Sequence, residues 1–140
     1  ELNHRTLPAF AAGGLQLQIW NGETLLGYRS YSSEASLSRA GETITWTQAM
    51  EVRNGLLTFE ILNGQSLAWG PFGSPGSLRL VLPTSLTDLN GYRPDTSVAN
   101  SGVGFAGNRV GSLKLKAVRF YLSTGEQQVD ASPRTVYPNN

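Results

Sequence analysis

The stretch Ala49-Met50-Glu51-Val52-Arg53-Asn54-Gly55-Leu56-Leu57-Thr58-Phe59-Glu60-Ile61-Leu62 decides the fold class. Asn54-Gly55 stands between two runs that suit strands. Asn and Gly both accept positive φ, which a two-residue type I′ turn needs at both central positions. After the turn, Leu57, Phe59 and Ile61 alternate with Thr58 and Glu60, the period of a strand with one buried face. The expected unit is a hairpin of about 49–53 and 56–62.

The same pattern extends in both directions. Asn21-Gly22, Asn63-Gly64 and Asn90-Gly91 repeat the Asn-Gly pair, and the first two also lie between apolar or alternating runs. Upstream, Leu15, Leu17 and Ile19 share one face of a strand and Gln16, Gln18 and Trp20 the other. Asn21-Gly22 should return this strand through Thr24 to Ser32. Thr43–Gln48 reads as a further strand with Ile44 and Trp46 on one face. Downstream, Asn63-Gly64 should turn into a short strand over Gln65–Trp69. Gly70–Gly76 reads as a Pro/Gly loop, Leu78–Leu82 as a strand ended by Pro83, and Ser85–Asn90 as one helical turn. Asp95–Asn108 reads as a long loop. In Ser112–Ser123 the apolar phase changes near Ala117, which suggests a β-bulge or a strand serving two sheets. Thr124-Gly125 turns into Glu126–Asp130, and Arg134–Tyr137 is a last short strand.

No long segment carries a helical period. Short strands at regular turn spacing point to an all-β fold, expected as a two-sheet antiparallel β-sandwich of jelly-roll or Ig-like type with an extended N-terminal arm. The division is 1–14 for the arm and its glycine hinge and 15–140 for one β-domain. The expected core is Leu15, Leu17, Ile19, Leu26, Ile44, Trp46, Leu57, Phe59, Ile61, Leu78, Leu80, Leu82, Leu113, Leu115 and Phe120.

Composition narrows function. The 140 residues carry 11 basic and 10 acidic side chains, a net charge of +1, with no basic stripe for nucleic acid. No apolar run approaches the roughly 18 residues of a membrane span. With no cysteine and a single histidine, His4, thiol chemistry and most histidine-based chemistry are excluded. No carboxylate spacing suggests a glycosidase pair. Gly102–Gly107 matches G-x-G-x-x-G, but without a βαβ unit the spacing means turns, not a phosphate loop. The chain reads as a non-enzyme with no catalytic residue, no cofactor and no metal. Asp88 and Asp95 are the residues to consider for calcium, against Asx turns as the plainer account. Lys114 and Lys116, the only lysines, raise the question of an isopeptide crosslink. Residue 1 is glutamate and no leader is visible, so a processed or trimmed chain is expected. Low charge with many Ser, Thr, Asn and Gly residues suits a secreted or cell-surface protein.

Two functional expectations follow. The first is a structural subunit of an extracellular filament, pilus-like fibre or surface layer. Its arm would add as a strand to a neighbouring copy, with Leu2, Leu7 and Phe10 as plugs and Gly13-Gly14 as hinge. The partner is then the chain itself, as a homopolymer. The second is a carbohydrate-binding module, its partner a polysaccharide. Trp20, Trp69, Tyr28 and Tyr31 would stack on sugar rings while neighbouring amides bind hydroxyls.

Overall fold

The computed structural model describes residues 2–4, 15–31, 43–67, 70–99 and 111–138. These residues form β1 (Leu2–His4), β2 (Leu15–Asn21), β3 (Thr24–Tyr31), β4 (Thr45–Arg53), β5 (Leu56–Ser66), β6 (Gly70–Phe72), β7 (Leu78–Pro83), α1 (Pro94–Ala99), β8 (Leu113–Leu115), β9 (Val118–Tyr121), β10 (Gln127–Asp130) and β11 (Arg134–Tyr137). The fold is all-β with antiparallel pairing. The strands fall into four sheets, where two were expected: β1-β2-β3, a four-stranded sheet of β4, β5, β6 and β7, and the pairs β8–β11 and β9–β10. None of the described helices is long and apolar enough to cross a membrane.

The decisive hairpin forms as its sequence indicates. Arg53 pairs with Leu56, and Asn54 and Gly55 take φ of 51° and 73° between them. The strand before the turn is longer than expected, running unbroken from Thr45 to Arg53. At Asn21-Gly22 the turn slips by one residue. Asn21 pairs with Thr24, so Gly22 and Glu23 are the central residues, with Gly22 at φ 58°. Positive φ at the first centre alone is what a type II′ turn requires.

Asn63-Gly64 departs from expectation more deeply. It makes a bulge inside β5 instead of a hairpin turn. Against β4, Thr45 pairs with Gln65 and Thr47 with Leu62, so β5 carries one extra residue. Asn63 absorbs the kink at φ 54° and donates its N–H to the Gly73 carbonyl at 3.1 Å. Before the bulge β5 pairs with β7, from Leu56 to Ile61; after it, Gly64–Ser66 pair with β6. The Pro/Gly stretch expected as loop thus contributes an edge strand, where Pro71 is tolerated because its missing N–H is not needed on the outer side.

One apolar cluster joins the two larger sheets. Leu17 and Ile19 of β2 meet Leu57, Phe59 and Ile61 of β5 and Leu78 and Leu80 of β7. Phe59, Leu17 and Ile61 are fully buried, and each such side chain contributes about 1.5–3 kcal/mol of transfer free energy. Tyr31, Trp46, Met50, Val52, Phe72, Leu82 and Leu89 pack around this centre. Two residues expected in the core are exposed. Leu26 falls at the β2–β3 irregularity, where Ile19 pairs with Gly27 and Trp20 with Leu25, leaving Leu26 as the extra residue. Phe120 lies in the two-stranded β9–β10 hairpin, too thin a structure to bury both of its faces. The side chains of Leu2 and Leu15 lie outside the described residues.

The phase change at Ala117 is a strand shared by two sheets. β8 pairs with β11, β9 pairs with β10, and Lys116-Ala117 lies between them. Lys114 and Lys116 are both exposed, which does not suit a buried crosslink. The expected helical turn at Ser85–Asn90 is absent; the helix is α1, inside the expected loop. Pro94 opens α1, where a fixed φ and a missing N–H cost nothing, and Asp95 places a negative charge in its first turn.

A Cβ built at Gly64 would collide with the Phe72 ring. Gly64→Ala should therefore destabilise the fold by about 1–3 kcal/mol in urea titrations. Phe72→Ala in the same chain should recover part of that loss; an undiminished cost in the double variant would exclude the ring as its cause.

Candidate functional site

The binding residues expected from sequence that are described lie on the N-terminal sheet. Trp69 and the arm residues Leu7, Phe10, Gly13 and Gly14 lie outside the described residues. Leu2 is placed by its backbone: β1 runs antiparallel on the edge of β2 in the same chain, with Leu2 opposite Leu17, Asn3 opposite Gln16 and His4 opposite Leu15. The three residues thus occupy a strand edge of their own fold.

On β2, alternation sends Leu17 and Ile19 to the core and Gln16, Gln18 and Trp20 to the opposite face. A relay of side-chain hydrogen bonds runs along that face. The Trp20 indole Nε1–H donates to Gln18 Oε1 at 3.0 Å, the Gln18 amide donates to Gln16 Oε1, and the Gln16 amide donates to Ser30 Oγ at 3.1 Å. Gln16 and Gln18 are buried. Their amides are therefore turned on one another instead of outward, which corrects the expectation that they bind sugar hydroxyls. What they hold is the indole, whose N–H is satisfied internally while the side chain stays 41% exposed. Tyr28 stands directly across from Gln18 on β3 and is 61% exposed. Trp20 and Tyr28 share this face, on either side of the β2–β3 irregularity.

Tyr31 lies three positions along the strand from Tyr28 and so points the other way. Its hydroxyl donates to the Arg79 carbonyl at 3.0 Å and accepts from the Arg79 N–H at 2.8 Å. The Arg29 guanidinium lies over the Tyr31 ring, 5.2 Å from its centre, and Nη1 donates to the same carbonyl at 3.3 Å. Tyr31 is thus a clasp between β3 and β7. Because antiparallel residues alternate between facing their partner and facing away, the outward main chain of Arg79 implies that Val81 also faces away from β5.

Between β3 and β7 lies an open groove of about 330 Å³, lined by Tyr28, Arg29, Gly76, Arg79, Leu80 and Val81. Behind Gly76, Glu60 accepts the Gly76 N–H at 2.6 Å. Glu60, mid-strand on the outer face of β5, thereby fixes the 73–77 turn that forms one lip. Gly27 allows the close approach of the two sheets: a Cβ there would come within 2.8 Å of the Leu82 side chain.

The two calcium candidates are engaged separately. Asp88 Oδ1 accepts the Asn90 N–H at 2.9 Å, an Asx turn, and Oδ2 accepts the Thr87 hydroxyl. Asp95 pairs with both Nε and Nη2 of Arg134, at 3.1 and 3.2 Å. Arg134 Nη1 reaches Asp130 at 2.9 Å, so one guanidinium ties α1 to the β10–β11 turn. No group of three metal-ligating side chains occurs among the described residues. A second polar cluster was not foreseen. The Gln48 amide donates to the Tyr92 hydroxyl at 2.9 Å and to Ser97 Oγ at 2.8 Å, pinning the loop before α1 onto β4. Neither cluster has a sequence signature, since partners some 40 residues apart meet only after folding.

Comparison of the chain with protein-family models, with curated proteins and with solved structures finds no significant match.

Hydrogen bonding to Arg134 holds the Asp95 carboxyl below its ordinary pKa, and the Ser132 main-chain N–H does the same for Asp130, with Arg134 adding to it. Both groups contribute stability above their unfolded pKa and lose it as pH falls through the folded value. The contribution is modest because all three side chains are well exposed. Acid unfolding followed by circular dichroism should show stability declining below about pH 4. Arg134→Gln should flatten that decline; an unchanged acid limb would remove the fork from the account.

Proposed function

We propose that this chain is a non-enzymatic β-domain that binds polysaccharide through Trp20 and Tyr28, the exposed aromatic residues of its N-terminal sheet. The observation that carries the reading is the held indole of Trp20. A tryptophan whose N–H is fixed by a buried amide relay, with its ring still partly open, is set to present a face at little entropic cost. Tyr28 extends the aromatic surface along the strand pair. Sugar rings stack on such surfaces through their C–H faces, which suits an extended glycan crossing β2 and β3. The low charge and the Ser-, Thr-, Asn- and Gly-rich composition support a secreted or cell-surface setting.

A second reading rests on a different observation. β1 is seated on the β2 edge, and the segment joining them contains Gly13-Gly14. Strand exchange, in which β1 of one copy takes the same register on the next, would give a homopolymeric filament or surface layer. Within one chain that edge is already taken, so exchange must displace an existing strand, and the aromatic face is therefore the favoured reading.

Binding of the intact chain to immobilised neutral polysaccharides should weaken about tenfold, near 1.4 kcal/mol, in Trp20→Ala. Gln18→Leu should weaken it less, by freeing the ring without removing it. Equal binding by wild type and Trp20→Ala would overturn the site. For the second reading, sedimentation velocity should show concentration-dependent oligomers that vanish when residues 1–12 are deleted. Oligomers surviving the deletion would dismiss strand exchange.

A further inference from the structure

Neither Arg29 nor Arg79 has a carboxylate partner among the described residues, where the ion pairs are both made by Arg134. Yet both arginines line the same groove, with Tyr28, the neighbour of Arg29 on β3, at its margin. In a chain of only 11 basic residues and a net charge of +1, two guanidinium-bearing residues lining one concavity are a local concentration of positive charge. Arg29 is also pre-positioned: its stacking over Tyr31 and its bond to the Arg79 carbonyl fix its plane before any ligand arrives. Arg79 rises from β7 on the other wall. Glu60, paired with Arg79 in the β5–β7 register, makes no ion pair with it; its Oε1 accepts the Gly76 N–H at the lip of the groove.

We infer that this groove is an anion subsite and that the glycan recognised by the domain carries carboxylates, as a uronate-rich polysaccharide does. The proposal rests on the polysaccharide reading above and specifies its ligand class. A hexuronate residue entering between β3 and β7 would place its carboxylate between the two guanidinium groups. Planar guanidinium forks match carboxylate oxygens in pairs, which gives orientation as well as affinity. The next sugars would pass around the β3 edge to the face that carries Tyr28 and Trp20.

The test is isothermal titration of the intact chain with oligogalacturonate, with a neutral oligosaccharide of equal length and with dextran sulfate. Oligogalacturonate should bind, and more weakly as salt is raised. Arg79→Gln should lower that affinity by about tenfold or more. Arg29→Gln should do likewise, with its urea midpoint recorded to separate folding from binding. Arg119→Gln, which removes an equal charge on β9, should leave the affinity unchanged. Loss of affinity in Arg119→Gln equal to that in Arg79→Gln would overturn the subsite, since charge alone would then be responsible. Binding of dextran sulfate with none of oligogalacturonate would overturn the carboxylate assignment. Binding of the neutral oligosaccharide alone, abolished by Trp20→Ala, would overturn this inference and leave the aromatic reading standing; binding of none of the three would remove both.

Discussion

Everything in the larger sheet is organised by β5. Its residues Leu57, Phe59 and Ile61 form the middle of the core, and both of its edges must be paired for that core to stay dry. On one side β4 accompanies it along almost its full length. On the other no single strand does. The Asn63-Gly64 bulge resolves this by bending β5 so that β7 covers its first half and β6 its last three residues. Phe72 then closes over Gly64, a position where no side chain could stand. The bulge is therefore the reason a Pro/Gly-rich stretch has a place in the sheet, and the reason the following turn lies where Glu60 can hold it.

The two larger sheets meet through a narrow set of contacts. Leu17 and Ile19 supply apolar area, Gly27 lets β3 approach Leu82, and the Tyr31 hydroxyl ties the two strand edges together. The outer face of the N-terminal sheet inherits its geometry from these constraints. Because β2 spends one face on the core, its other face is free to carry the amide relay. Because that relay is buried at Gln16 and Gln18, it stiffens Trp20 at the end that remains open. The groove lies between β3 and β7, which meet at Tyr31 and Arg79 and again where Gly27 approaches Leu82.

Much of this was legible in the chain. The period-two runs at Leu15–Ile19, Leu57–Ile61 and Leu78–Leu82 identified the buried face, and the phase change at Ala117 correctly marked a strand divided between sheets. The failures are equally physical. Asn63-Gly64 and Asn54-Gly55 are the same dipeptide, and only the presence of a second partner strand makes one a bulge and the other a turn. Pro94 and Asp95 were a helix start hidden inside a run of loop-forming residues. For the candidate site, the shared face of Trp20 and Gln18 followed from alternation. Which way the amides turn did not, because it depends on Ser30 arriving from the neighbouring strand. Tyr31 looked equivalent to Tyr28 until parity and the position of Arg79 separated them.

The Tyr31 clasp has a consequence for solubility. A free sheet edge invites a foreign strand to continue the ladder, and among the described residues no strand pairs with the outer edge of β7. Its outward main-chain groups belong to Arg79, Val81 and Pro83. Tyr31 occupies both groups of the first, and the last has no N–H to give. An incoming strand would find a full rung only at Val81, between two side chains that stop it on either side. A phenol and a proline thus do the work of a covering strand, and the edge stays open to a small ligand while closed to a propagating sheet.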